Sequence, residues 1–188
     1  METVGRMVSE GIVNLQRALM IPGWMSETEL EWIALQASRS TRSAEIGCWL
    51  GRSTRAMADN TTGQIFAVDT WGGSKEHREQ LKGKPPEWLF NNWRKNMEGT
   101  NVSPMRMTSL EAASLFRDKE IMFDFIFIDA SHEYKDVRDD ILAWKKLLSP
   151  GGVLAGHDFD EYFPEVKQAV EECLPGYSLV SGTSIWSA

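Results

Sequence analysis

Two apolar runs in the second half of the chain, Phe123–Ile128 (FDFIFI) and Val153–Ala155, stop abruptly at ionisable residues. Asp129 follows the first, with His132 three positions further on. His157 and Asp158 follow the second after a single glycine. Between the runs lie a segment of helical periodicity and a Pro150-Gly151-Gly152 turn. This predicts a strand–helix–strand unit. A right-handed crossover makes its strands parallel, so both polar ends face the same way. Neighbouring strands sit about 4.8 Å apart, which lets Asp129, His132, His157 and Asp158 converge.

The same alternation runs upstream. Ser43–Gly47 reads as a strand, and Cys48–Ser53 leads into a helix from Thr54 to Asp59. Gln64–Asp69 is a second strand ending in a carboxylate, and Val102–Met107 is a third, followed by a helix over Leu110–Phe116. Trp88, Leu89, Trp93 and Met97 mark a further helix. Downstream, Val166, Ala169, Val170 and Cys173 share one face of a helix over Phe163–Leu174. Tyr177–Val180 and Thr183–Trp186 flank Ser181-Gly182 as a hairpin. At the N-terminus Ile12, Leu15 and Leu19 have helical spacing up to Ile21-Pro22-Gly23. Ser26 with Glu29 forms a capping box ahead of the apolar face Leu30, Ile33, Ala34 and Ala37. These first two helices serve either as packing on the sheet or as a lid over a cleft.

Five β-α repeats followed by a hairpin predict an open α/β sheet, largely parallel, with helices on both faces. At 188 residues the chain suits one domain, with N-terminal helices over 1–40 and a core over 43–188. Ligands of such sheets bind at the carboxyl ends of the strands, near the point where strand order reverses. Glu45, Gly47, Gly51, Asp69, Ser109, Asp129, His157 and Asp158 all fall at such ends. Gly47 and Gly51 allow close backbone approach, and the helix after them offers free N–H groups. Asp69 stands where an acidic side chain holds the hydroxyls of a ribose. The polar stretch from Gly72 to Pro86 is long for a connection and reads as a flap or an irregular loop, with His77 a solvated residue in it.

Composition narrows the partners. A net charge of −7 without a Lys/Arg run argues against nucleic acid as the main partner. No apolar run reaches the ~18 residues of a membrane span, and the first twenty residues lack a leader's apolar stretch. Cys48 and Cys173 fit no metal spacing, so both are expected as core thiols in a reducing, cytoplasmic setting. Eight tryptophans are many for this length. Trp24, Trp71, Trp88 and Trp93, in or beside the loops, either pack or line an aromatic cleft, and exposed ones would favour a homo-oligomer.

The glycine pattern Glu45-x-Gly47-x-x-x-Gly51 differs from the G-x-G-x-x-G of nicotinamide enzymes. Glu-Ile-Gly-Cys-Trp-Leu-Gly-Arg-Ser (45–53) resembles the first motif of class I S-adenosylmethionine-dependent methyltransferases, and Val68-Asp69-Thr70-Trp71 their second. Ile128–Tyr134, Pro150-Gly151-Gly152 and Gly156–Phe159 resemble one branch of them. That branch holds the small metal-dependent O-methyltransferases acting on macrolide sugars and catechols. The resemblance covers Ser43 to the C-terminus. It implies a Rossmann-like, doubly wound, seven-stranded sheet with an antiparallel terminal hairpin strand. It implies a cofactor, S-adenosylmethionine, held by Glu45, Gly47, Gly51, Ser53, Asp69, Thr108, Ser109 and Asp129. It implies a divalent metal on Asp129, His157 and Asp158, with His132 as general base and a small hydroxylated acceptor. Where His157 stands, relatives often carry a carboxylate or an amide.

Residue chemistry agrees with that implication. Two carboxylates suit magnesium, and the imidazole shifts the preference toward manganese, iron or zinc. A histidine near its reference pKa of ~6.5 accepts a hydroxyl proton at neutral pH. The plainer roles are a helix cap for Asp129 and Asp158 and a core imidazole for His132. Glu133, Asp136, Asp139 and Asp140 read as a solvated helix face. Asp124 lies at the opposite pole, and Tyr134 and Phe159 either shape the acceptor pocket or pack. A metal-independent methyltransferase and a non-catalytic cofactor-binding module remain as alternatives.

Overall fold

Each run read as a strand pairs with a neighbour in the structure, a computed structural model that describes residues 13–74 and 77–188, except that the last strand is Trp186–Ser187, with Thr183 and Ser184 part of the turn before it. Ile12 and the rest of residues 1–12, the greater part of the run read for a leader, lie outside the described residues, as do Lys75 and Glu76 of the polar loop. The elements are α1 (Gln16–Met20), α2 (Glu27–Ser38), β1 (Arg42–Ile46), α3 (Arg52–Ala58), β2 (Gln64–Asp69), α4 (Arg78–Leu81), α5 (Trp88–Asn96), β3 (Val102–Arg106), α6 (Ser109–Asp118), β4 (Phe123–Ile128), α7 (Tyr134–Trp144), β5 (Leu148–Gly156), α8 (Pro164–Cys173), β6 (Ser178–Leu179) and β7 (Trp186–Ser187).

The seven strands form one sheet in the order β3-β2-β1-β4-β5-β7-β6. Strands β1 to β5 are parallel, and β7 runs antiparallel to both β5 and β6. Order reverses between β1 and β4, which opens a crevice at their carboxyl ends. Strand β4 explains the depth of the core. Phe125 and Phe127 pack with Leu30, Ile33, Ala34 and Met57 on the α2/α3 side. Phe123, Ile126 and Ile128 pack with Phe116, Ile141, Trp144 and Val170 under α6, α7 and α8. A strand covered on both faces reads as a continuous apolar run rather than an alternation.

The capping box read at Ser26 forms as the sequence implied. Ser26 Oγ accepts from Glu29 N at 3.3 Å while the Glu29 carboxylate accepts from Ser26 N at 2.8 Å. A second reciprocal box, which the sequence reading does not mark, joins Thr108 and Glu111 at the start of α6. Asp124, at the opposite pole as expected, accepts from Thr41 N and Oγ1 at 2.8 and 2.6 Å and ties the entry to β1.

Two local expectations change. Pro150-Gly151-Gly152 do not form a turn before the last parallel strand but lie inside β5, where its register with β4 shifts between Phe123 and Phe125. Proline lacks the ladder donor and is tolerated at such an irregularity. The stretch from 72 to 86 contains α4, and Trp71, just ahead of it, is buried against Phe90 and Trp93 of α5. Among the described residues no helix is long and apolar enough to cross a membrane.

Candidate active site

The sheet's hydrogen bonding runs on past the strand ends. Gly47 N donates to Val68 O at 2.9 Å, Asp129 N to Ile46 O at 2.7 Å, and His157 N to Ile128 O at 3.1 Å. The backbone at Gly47, Asp129 and His157 is therefore fixed by the core rather than by a free loop. Gly47 has φ +84°, and a Cβ there would stand 2.0 Å from Asp129 O. The close approach that requires this glycine is thus between the ends of β1 and β4.

Beside that junction lies a cavity of about 680 Å³, whose lining includes Gly47, Trp49, Asp69, Thr108, Ser109 and Asp129. Asp69 Oδ2 accepts from Cys48 N at 2.8 Å and Trp49 N at 3.0 Å, and its Oδ1 accepts from Trp71 N at 2.6 Å. It holds the glycine turn against β2 and keeps capacity for about one more donor from the cavity. Thr108 Oγ1 is engaged in its capping box. Ser109 Oγ donates to Asp140 and accepts from Trp144 Nε1 at 2.8 Å. Both line the cavity with side chains already committed.

Three of the residues assigned to the cofactor stand outside this lining. Gly51 (φ +90°) is the N-cap of α3, and a Cβ there would meet Met97 Cε at 2.7 Å and Trp93 Cδ1 at 2.9 Å. Glu45 is fully buried and is bonded by the hydroxyls of Ser53 and Thr54. Its carboxylate faces the first turn of α3, so Glu45 and Ser53 act on the cavity only through that helix.

Burial pushes the Glu45 pKa up to about 7, against the lowering effect of those two hydroxyls. The folded state holds this proton between pH ~4.5 and ~7 while the unfolded chain releases it, so stability falls with rising pH across that window and stays lower above it. Glu45→Gln removes the cost. Relative to wild type, it should gain ~2–3 kcal/mol between pH 4.5 and 8. Urea denaturation at several pH values measures this, and a pH-independent difference would contradict it.

Asp129, His157 and Asp158 bring one donor atom each to within 4.8 Å of one another. His157 Nδ1 lies 3.0 Å from Asp158 Oδ1 and 3.8 Å from Asp129 Oδ1. His132 Nε2 lies 2.9 Å from Asp158 Oδ2, and its ring stacks on Phe163 at 3.9 Å. Burial alone would lower the His157 pKa. Its bonds to Asp158 and Glu29 and the charge of Asp129 override that and push it up to about 11. Burial raises Asp129, with Asp158 and Glu45 adding repulsion. Asp158 is held well below the usual carboxylate range, because the two imidazoles outweigh its burial. Asp158 also sits in the left-handed region, φ +63°, a conformation characteristic of functional sites. The donor set of two carboxylates and one imidazole fits a first-row divalent cation.

The cavity rim differs from expectation at several points. His77 is not a solvated residue. Its ring stacks on Trp49 at 4.0 Å, with Trp24 at 5.2 Å, and its Nδ1 lies 2.9 Å from Ser74 Oγ. Of the loop tryptophans, Trp71 and Trp93 are core, whereas Trp24 is exposed. Asp140 does not belong to the solvated face of α7. It is 5% exposed and bonded to Ser109, and burial lifts its pKa to about 6. Tyr134 donates to Glu172 at 2.6 Å and Phe159 packs on Tyr177, so both are occupied in packing. Both thiols are free, Cys48 buried and Cys173 partly so. The residue that sequence reasoning missed is Glu29, whose Oε1 lies 3.1 Å from His157 Nε2.

A seven-stranded sheet with this order, an antiparallel strand near one edge and a strand-end cavity beside Gly47 and Asp69 make up the fold of class I S-adenosylmethionine-dependent methyltransferases. The chain belongs to the methyltransferase domain family, which matches residues 44–159. An O-methyltransferase from Bacillus cereus, solved in complex with SAH, shares the fold with TM-score 0.60 at 19% identity, covering 92% of this chain and 89% of that one. CalS11, a calicheamicin methyltransferase, superposes with TM-score 0.63 at 14% identity over 85% of this chain and 76% of its own. The N-methyltransferase NodS from Bradyrhizobium japonicum WM9 does so with TM-score 0.57 at 15% identity over 86% and 90%. The uncharacterized protein y4gI of Sinorhizobium fredii (strain NBRC 101917 / NGR234) is 29% identical over 142 residues, which are 72% of this chain and 15% of that relative. The chain therefore spans a small part of the length of this curated relative.

Proposed function

We propose that the protein transfers the methyl group of S-adenosylmethionine to a hydroxyl oxygen of a small acceptor, of sugar or catechol type, with a divalent cation at Asp129, His157 and Asp158. The observation that carries this reading is the convergence of those three donor groups at the edge of the cofactor cavity, with Asp129 common to both. CalS11 has also been described as a TDP-rhamnose 3'-O-methyltransferase, which makes a sugar hydroxyl a natural first acceptor to test.

Gly47 and Asp69 place the cofactor along the cavity, and Asp69 has room for one ribose hydroxyl. The committed side chains of Thr108 and Ser109 leave backbone groups and the exposed Leu110 to face the adenine. The cation, when bound, favours the ionised form of the acceptor hydroxyl and orients it. His132 takes the proton, and Asp158 holds the imidazole through Nε2. The sheet's extended ladder fixes Asp129 and His157, which contributes to catalysis through orientation.

The test uses labelled S-adenosylmethionine with a panel of catechols and nucleotide-linked sugars. Methyl transfer to oxygen is expected, falling at least ~10-fold in excess chelator and returning with added magnesium or manganese. Full activity in chelator would remove the metal from the proposal. One observation favours a metal-independent reading instead. Both nitrogens of His157 already face carboxylates, Asp158 at 3.0 Å and Glu29 at 3.1 Å, so the imidazolium can serve as the local cation. Under that reading chelator changes nothing and the rate rests on His132.

A further inference from the structure

Glu29 and Glu111 occupy the same position in two capping boxes, yet their surroundings differ. Glu111 is exposed and, among the described residues, bonds only within its own helix start. Glu29 is 6% exposed. Burying a carboxylate is costly unless further partners compensate, and a helix cap by itself does not require it. The second set of partners explains the burial. Oε2 accepts from Ser26 N and Oγ, both at 2.8 Å. Oε1 is turned the other way, accepting from Ser184 N at 3.1 Å and from Ser184 Oγ at 3.2 Å, and faces His157 Nε2 at 3.1 Å. Ser184 in turn accepts from Phe159 N at 2.9 Å, next to Asp158. One carboxylate thus joins α2, the turn before β7 and the loop after β5.

His157 has two ring nitrogens and they are divided. Nε2 faces Glu29, and Nδ1 faces Asp158 and Asp129. A carboxylate that accepts from one nitrogen keeps the hydrogen there and leaves the other lone pair for a cation.

We propose that Glu29 is a positioning residue of the metal site: it orients His157 from outside and makes α2 a fixed wall of the site rather than a swinging lid. The inference rests on the metal reading above and adds to it a group from the N-terminal helices, on which the donor set depends.

Manganese(II) affinity of the full chain, measured by calorimetry without acceptor, tests it, with SAH affinity measured in parallel as the sign of an intact fold. Glu29→Gln keeps an acceptor oxygen but loses the charge, and it should weaken manganese(II) binding ~10-fold. Glu29→Ala should weaken it ~100-fold. Both should leave SAH affinity unchanged. Ser26→Ala breaks the capping box without touching the Glu29–His157 contact, so its manganese(II) affinity should match wild type. The proposal is overturned if Glu29→Gln binds manganese(II) as wild type does. It is equally overturned if Ser26→Ala weakens binding as much as Glu29→Ala, since helix capping alone would then account for the effect. Wild type that binds SAH but no manganese(II) would remove the metal reading itself, and this inference with it.

Discussion

Asp158→Asn is expected to lower metal-stimulated kcat/KM by ~10²–10³-fold while leaving SAH affinity unchanged. Asparagine is the informative replacement, because Asp158 has φ +63° and asparagine tolerates that conformation where alanine does not. Shape and backbone are preserved, and the charge is lost. That charge does three things at once. It would supply a donor to the proposed cation, and it faces His157 Nδ1 at 3.0 Å and holds His132 Nε2 at 2.9 Å. A loss of ~3–4 kcal/mol of transition-state stabilisation corresponds to the stated range. Asp158 lies outside the cavity lining, whereas Asp129 is part of it, so Asp158 separates metal function from cofactor binding. Steady-state kinetics at saturating cofactor, with SAH titrations alongside, give the result. A variant that keeps wild-type metal stimulation would dismiss Asp158 as a ligand.

His132→Ala should lower kcat at saturating manganese(II) by ~10²–10⁴-fold with SAH affinity retained, the magnitude expected when a positioned general base is removed. His132 is suited to this part because Phe163 stacks on one ring face and Asp158 fixes Nε2. The two variants fail differently. Loss of Asp158 impairs metal binding, so excess metal partly restores the rate. Loss of His132 removes the proton acceptor itself, and no concentration of metal compensates. A His132→Ala enzyme within a factor of about three of wild type would assign the proton to another acceptor.

The sheet was legible because its signals are local. A buried strand such as FDFIFI is apolar at every position but Asp124, and Ser26/Glu29 marks a helix start within four residues, whereas the equivalent Thr108/Glu111 box went unread. The polar ends of β4 and β5 could be placed on one rim because parallel strands leave no choice of direction. What escaped the sequence depends on distant contacts. Glu29 already had a complete local explanation as a cap, and its partners His157 and Ser184 are 128 and 155 residues away. Asp140 follows the polar period of α7 yet is drawn inside by Ser109, 31 positions earlier. Glu45, Gly47 and Gly51 form one motif on paper, but they face three ways in space: toward α3, the end of β4 and α5. His77 lay in a polar stretch and is recruited by Trp49, which no periodicity could show.

The hydrogen-bond ladder that continues through Gly47, Asp129 and His157 divides the molecule by its capacity to change. Those positions share their geometry with the core, so a substitution that moved them would disturb the sheet before it altered selectivity. The rim built from Trp24, Trp49, His77 and the stretch around α4 carries no such burden. Under the proposed function, selectivity would diversify there, while the transfer chemistry would stay with the part of the protein least free to drift.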